Sequence, residues 1–371
     1  MRPLFETLED RGPKGAGPAA ASSGKRLAHH TIPMAHALGF LQGAHDAGID
    51  VPGLLARHGI SPAMCKSPLS RVSVDQFSGL LKALRYQMRD EMVGFCSEPV
   101  KLGTFALVAA QMVRCTTLHE ALTVGFRMYR LACGDFNASL RVAEDGTAQV
   151  VIRERQNGPH AGFIHCAFLY CMVGLASWLV QERIAVTAAG LRAKAPPVRL
   201  GDAAKLFDVP ISFSQAASSL SFDAHWLMRP VLVDPQSLRQ FLRDAPASLL
   251  VRYRDRSSAS EQVRARLYRE LGGALPSLEQ VAWGMRLSAH SLRRRLAEEG
   301  KNFQRIKNDL RRDVAIELLV RSSVPLTQIG QQLGFSDPST FHRGFKLWTG
   351  VAPGEYRQMH GAAGITLGAS R

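Results

Sequence analysis

Two short runs near the C-terminal end concentrate hydrogen-bonding side chains at helical spacing. The first holds His290, Arg293 and Arg294, the second Ser339, His342, Arg343 and Lys346. Arginine's planar fork matches paired acceptors such as the O6 and N7 edge of guanine. Histidine and serine exchange hydrogen bonds with a single base edge, and lysine is a point charge suited to phosphate. This chemistry is recognition of an acceptor-rich polyanion, with no bond making or breaking.

The surrounding residues show what holds these runs in place. In Pro325–Lys346, Leu326, Ile329 and Leu333 recur at helical spacing, Gly334 stops that helix, and Ser336 stands where it can cap another. Pro338 in the first turn of the second helix costs no hydrogen bond. Phe341 and Phe345 lie one turn apart and face inward, which leaves Ser339, His342, Arg343 and Lys346 for the outside. About fifty residues upstream the arrangement recurs. Ser277 to Gln280 reads as a capping box, Val281 and Met285 as an apolar stripe, Ser288 as a cap, and Leu292 and Leu296 as the inward face opposite His290, Arg293 and Arg294. Phe303 to Arg321, free of internal Gly and Pro, predicts one helix of about 28 Å, close to the ~34 Å turn of B-DNA. A short helix, a glycine turn and a polar second helix, used twice, describe two helix-turn-helix units.

These residues resemble the DNA-binding domain of the AraC/XylS family of bacterial transcription regulators, from about Ser260 to Arg357. The most specific stretch runs from Ile329-Gly330 through Leu333-Gly-Phe-Ser-Asp337, Phe341 and Arg343 to Phe345-Lys346, and continues through Trp348-Thr-Gly350 to Pro353-Gly-Glu-Tyr-Arg357. The resemblance implies that His290, Arg293, Arg294, Ser339, His342 and Arg343 read bases. It also implies a cytoplasmic transcription regulator, filed among activators, whose partners are a double-stranded DNA operator, RNA polymerase, a small-molecule effector and a second copy of itself. Two positions depart from the pattern. Gly330 stands where the family usually has alanine, softening the helix by up to ~1 kcal/mol. Pro338 stands where many relatives carry a polar reader, so the second unit is expected to read fewer bases.

Charge agrees with a phosphate-facing module. Residues 258–371 hold 17 Lys and Arg against 10 Asp and Glu, and residues 1–257 hold 29 against 21, so basicity per residue is about twice as high at the C-terminal end. A length of 371 residues exceeds a single core. The expected division is a disordered tail over 1–28, an effector-sensing and dimerisation domain over 29–252, a linker over 253–260, the DNA-binding domain over 261–358 and a flexible tail over 359–371. The expected fold is an α+β domain followed by an all-α one, with separate cores.

All six cysteines fall between Cys65 and Cys171 and none forms a CxxC pair, a pattern of reduced thiols rather than a disulfide framework. Residues 163–180 carry no formal charge and reach the lower limit of a membrane span. Gly174, Ser177, His165 and the lack of a preceding basic flank favour a buried core helix, and no membrane partner is expected. Amphipathic helices are predicted at Asp75–Arg89 and Leu118–Leu131. A hairpin is predicted from Phe136–Val142 through Asp145-Gly146 to Ala148–Arg153, and strands at 185–193, 210–213 and 220–222.

Leu38–Asp50, Arg57–Ile60, Lys101–Phe105, Thr117–Leu122 and Leu220–Asp223 resemble the effector domain of the AraC-type subgroup that includes regulators of arginine and ornithine catabolism and several virulence regulators. The subgroup's domain is named for arabinose, but this chain lacks a recognisable sugar-site pattern. A pocket between the hairpin and the apolar helix is expected, with His165, Tyr170, Arg127 and Arg130 as ligand candidates. No P-loop, G-x-S-x-G elbow or H-E-x-x-H is present, and the Gly15-Ala-Gly17 run follows no strand, so neither enzyme chemistry nor a cofactor is expected. His160, His165, Cys166 and Cys171 are read as packing, not as a metal site. The competing reading is a DNA-binding protein whose N-terminal half only dimerises or contacts partners.

Overall fold

The computed structural model describes residues 31–361 apart from 62–63, 66–68, 157–159, 195–206, 208, 246–248 and 250–257. The expected N-terminal tail and most of the expected linker and C-terminal tail lie outside the described residues.

The N-terminal half begins with a two-stranded ribbon. Strand β1 (Thr31–Pro33) pairs antiparallel with β2 (Arg71–Ser73), with Ile32 opposite Val72. Each strand runs directly into a helix, α1 (Met34–Asp46) and α3 (Val74–Met88), and α2 (Val51–Arg57) lies between them in the chain. Ser73 starts α3 with a full capping box: its hydroxyl accepts from Gln76 N, and the Gln76 side chain accepts from Ser73 N at 2.9 Å. Helices α4 (Thr104–Met112) and α5 (Leu118–Ala132) follow, and α5 buries the stripe Leu118, Leu122, Phe126 and Tyr129.

Next comes a five-stranded sheet of β3 (Phe136–Val142), β4 (Thr147–Glu154), β5 (Val186–Gly190), β6 (Ile211–Ser212) and β7 (Ser218–Asp223), in the order β3-β4-β7-β5-β6. The hairpin register pairs Phe136 with Glu154 and Val142 with Ala148, as the Asp145-Gly146 turn predicts. Strand β5 is shorter than the run expected from 185, and β6 keeps only two residues. Helix α6 (Ala161–Val180) is the expected apolar segment, apolar all round because it is enclosed on all sides. Phe168 meets Phe136 of the sheet and Tyr129 of α5, Phe163 meets Phe40 of α1, and Trp178 stacks at 4.2 Å on Phe241 of α7 (Pro235–Asp244). Gly39 permits the α1 contact, since a Cβ there would fall 2.3 Å from the Phe163 ring. Among the described residues α6 is the one helix long and apolar enough to cross a membrane, and 89% of its most apolar window is buried inside the protein.

The C-terminal half is helical: α8 (Ala259–Arg269), α9 (Leu278–Gly284), α10 (Ala289–Glu298), α11 (Phe303–Arg321), α12 (Leu326–Gln332), α13 (Pro338–Thr349) and α14 (Pro353–Gly361). The α+β then all-α order is the expected one. The expectation of separate cores is not met, because buried side chains run continuously from one half into the other. Asp313, on the inner side of α11, accepts from Thr31 Oγ1 at 2.5 Å and Arg264 at 2.9 Å, and pairs with Arg312 at 3.1 Å. Arg71 donates to Thr31 Oγ1, the Tyr356 hydroxyl donates to the Arg71 carbonyl, and Arg321 pairs with Asp75. Burial opposes ionisation of Asp313, but Arg312, Arg264 and Arg71 outweigh it and hold the carboxyl far below the usual range. A buried carboxylate needs partners on every side. Here the ribbon supplies some of them, which spacing along one helix could not reveal.

Candidate nucleic-acid interface

The first helix-turn-helix unit is assembled as its sequence directs. Ser277 and Gln280 form the capping box that opens α9, and Ser288 caps α10 by accepting from Ser291 N at 3.1 Å. Leu292 and Leu296 are fully buried, whereas His290, Arg293 and Arg294 on the other side of α10 are exposed. The close of α9 is fixed by a cation: Arg266 donates to the Gly284 carbonyl at 2.9 Å, and a Cβ at Gly284 would fall 2.0 Å from the guanidinium.

In the second unit Ile329 and Leu333 are fully buried, and Gly334 ends α12 at φ +70°, where an L side chain is strained. A Cβ there would also come 2.9 Å from the Gly273 carbonyl oxygen. The cap of α13 is Asp337, one residue beyond the expected Ser336. Its carboxylate accepts from Thr340 N at 2.8 Å and from Thr340 Oγ1 at 2.5 Å, bonds that lower its pKa. The shift follows from Pro338, which takes the first helical position and leaves the cap to the residue before it. Phe341 and Phe345 are fully buried; Ser339, Arg343 and Lys346 are exposed, and His342 is half-buried with its ring edge-on to Phe341.

Four basic residues that a charge count assigns to phosphate are spent inside the domain. Lys307 on α11 donates to the carbonyls of Leu275 and Pro276, at the entry to the first unit. One turn later Arg311 donates to the carbonyls of Leu333 and Gly334 at 2.9 Å each and lies 4.6 Å from the Phe335 ring centre. Burial lowers the pKa of both. Arg266 and Arg264 have the roles given above. Helix α11 thus acts as a strut whose cations clamp both units. The i, i+4 spacing of Lys307 and Arg311 was the only sequence signal of it. Of the exposed donors, Arg293 pairs with Glu279 at 3.1 Å and Arg294 with Glu298 at 3.6 Å; both are solvent-exposed pairs that an incoming acceptor can displace at little cost.

The pocket expected between the hairpin and α6 is not formed. Between the hairpin and α6 the free space is about 10 Å³, lined by Leu122, Val150, Leu169, Val173 and Phe222 among others, which is packed core. His165 faces Ser218 Oγ at 3.2 Å, and burial with the nearby Arg192 charge pushes its pKa down to about 4, although Glu154 lies 3.5 Å away. Ser177 accepts from Ile184 N, Tyr170 packs near Phe207, and Arg127 and Arg130 are exposed on α5. These groups are spent on packing or turned to solvent because α6 is enclosed by the sheet as well as by helices. A larger cavity, of about 60 Å³, lies against α6 where it faces α3 and α5, with Arg85, Glu91, Tyr129, Phe168 and Leu249 in its lining.

Residues 48–231 match the family model described as the arabinose-binding domain of AraC transcription regulator, N-terminal, and residues 281–359 match a helix-turn-helix domain model. The ornithine utilization regulator of Pseudomonas aeruginosa is 26% identical over 329 residues, 88% of this chain and 96% of the relative. The HTH-type transcriptional regulator VqsM of the same organism is 30% identical over 165 residues, 41% of this chain and 47% of the relative. Among solved structures, the transcriptional regulator CdpR from Pseudomonas aeruginosa is 23% identical and covers 68% of this chain and 81% of its own, with a TM-score of 0.28.

Proposed function

Because the chain belongs to the AraC family of transcription regulators, we propose that it binds a double-stranded operator in the cytoplasm through α10 and α13 together. The observation that carries this is the pair of capped helices with apolar inner faces, exposed donors outside, and both units tied to one strut, the entry of the first by Lys307 and the turn of the second by Arg311. In this reading Arg293, Arg294 and Arg343 donate to base edges, with His290, His342 and Ser339 beside them, while Lys346 contacts phosphate. The DNA-binding domain spans 261–358, joined through 253–260 to a domain over 29–252 that senses a small molecule and dimerises. RNA polymerase is the protein partner the bound regulator would act on.

Selection and sequencing of random DNA fragments bound by the full chain tests this. The expected motif has two blocks about 10–10.5 base pairs apart, one per recognition helix. Recovery of fragments with no shared sequence would overturn specific reading. The competing role, an N-terminal half that senses nothing, draws on the packed interior between the hairpin and α6. The 60 Å³ cavity favours the sensor. Its largely apolar lining does not suit arabinose, whose hydroxyls need several convergent polar partners.

A further inference from the structure

The cavity against α6 is walled by Phe40, Leu81, Phe105, Ile164 and Phe168, with a few polar groups among them. Glu91 is already engaged: its carboxylate accepts from Gly103 N and Phe105 N, both at 2.7 Å, at the start of α4. Arg85, on α3, differs. Its Nε is buried without a hydrogen-bond partner, and the guanidinium makes no hydrogen bond or ion pair among the described residues. Two other arginines also have a buried, unpartnered Nε, but each is satisfied elsewhere on its guanidinium: Arg229 pairs with Glu182, and Arg357 donates to the Val324 carbonyl. Arg85 as a whole is half-buried, and its buried Nε left open beside an apolar hollow is a feature that packing alone works against, since that unmade bond costs its desolvation.

We propose that this cavity is a binding site for a short aliphatic monocarboxylate, whose two oxygens meet the Arg85 guanidinium and whose chain lies among Phe40, Ile164 and Phe168. Carboxylate is the planar acceptor pair that matches the guanidinium fork. Size follows from volume. A water occupies ~10–15 Å³ of such space, so 60 Å³ holds about four to six heavy atoms, the range from acetate to butanoate. The nearby Glu91 charge offsets Arg85 at longer range, so the gain is in hydrogen bonds and burial, and affinity is roughly millimolar. Ala245 and Leu249 line the same cavity, and Leu249 precedes Ser258, the cap of the first DNA-domain helix, by nine residues of chain. An occupant therefore packs against Leu249, four residues before the proposed linker begins at 253, and on the sensor reading its binding is felt there. The proposal rests on the sensor reading only for that consequence.

The test is thermal unfolding of the full chain titrated with sodium acetate, propanoate, butanoate and hexanoate at fixed ionic strength, with sodium chloride and butan-1-ol as controls. A saturable rise in Tm that is largest for propanoate or butanoate and absent with the controls is expected. Arg85→Met weakens it by roughly tenfold to a hundredfold, the effect of losing a charge-assisted hydrogen bond. Ala167→Leu, which fills the cavity with Arg85 in place, abolishes it. No saturable rise with any acid, or an undiminished rise in a folded Arg85→Met protein, overturns the site. Operator affinity measured with and without butanoate separates the two readings. Saturable binding that leaves operator affinity unchanged upholds the site and removes the sensor role. Absence of binding removes the site while the fragment selection stands by itself.

Discussion

Helices α6 and α13 both present polar side chains among apolar ones, and the structure uses them in opposite ways. In α13, Phe341 and Phe345 define a buried face, so Ser339, Arg343 and Lys346 come out exposed. In α6, sixteen of twenty residues are buried, and His165 and Ser177 are turned inward and bonded. An amphipathic helix announces its inner face through its own spacing, and whatever lies opposite is available. A helix apolar all round announces only that it is enclosed. Its polar groups are then governed by neighbours far away in sequence, such as Ser218 for His165.

The largest effect expected from this contrast is in α6. His165 stays neutral when folded, with a pKa of about 4 against 6.5 in the unfolded chain, so it takes up its proton on unfolding. Its contribution to stability is intact above pH 6.5 and is lost as pH falls from 6.5 toward 4, by at most about 3 kcal/mol. His165→Gln, which keeps a partner for Ser218 without a titrating ring, should flatten that part of the stability profile measured by urea unfolding, and His165→Ala should cost about 3 kcal/mol at pH 7.5. Neither should alter ligand-independent operator binding beyond its effect on folding. A His165→Gln profile as steep as wild type would show that the imidazole is not held neutral.

The strut comes next. Arg311→Met removes two charge-assisted bonds to the carbonyls of Leu333 and Gly334 and the contact with Phe335, a loss of about 2–4 kcal/mol. Operator sequence read by α13 should lose its influence on affinity while that read by α10 keeps it. Equal loss at both blocks would mean that the two units do not depend separately on α11.

At the interface itself, Arg343→Ala and Arg293→Ala should each cost about 1–3 kcal/mol on the specific operator and relax preference at one position. Arg293 should lie at the lower end, because contact with DNA must displace Glu279. Lys346→Ala should weaken all sequences about equally and flatten the salt slope by about one. Filter or fluorescence titrations on specific and random duplexes at several salt concentrations separate the two behaviours. Equal loss on both duplexes for the arginine variants would make them phosphate contacts.

The helical half was legible almost residue by residue: the bounds of α11, the capping box at Ser277, the Ser288 cap and the glycine turn at Gly334 all follow from local rules. Local rules failed where a choice depended on partners remote in sequence. Asp313 takes partners from Thr31 and Arg264, Arg321 from Asp75, Lys307 from carbonyls that lead into the first unit, and Arg311 from carbonyls of the second unit's turn. For the same reason the cavity was missed. Arg85 sits on an amphipathic helix whose apolar stripe was plain, but the hollow beside it is built jointly by α1, α3, α5 and α6.

Gly330 sets the smallest effect and the finest test of how tightly α12 and α13 are fitted. In the interior of α12 a glycine costs about 1 kcal/mol relative to alanine. A Cβ there would stand 3.3 Å from the Phe341 Cβ and 3.5 Å from its Cγ, so the recognition helix would have to give by a few tenths of an ångström. Helix propensity should win: Gly330→Ala is expected to stabilise the protein by up to about 1 kcal/mol, a rise of about 2–4 °C in Tm. The displaced contact belongs to the buried side of the helix that carries Arg343. Any strain should therefore appear as weakened specific binding at unchanged nonspecific binding, measured alongside the melting curve. Stabilisation with unaltered operator affinity would show slack between the two helices. Destabilisation would show that close packing against Phe341, more than backbone freedom, requires glycine at this position.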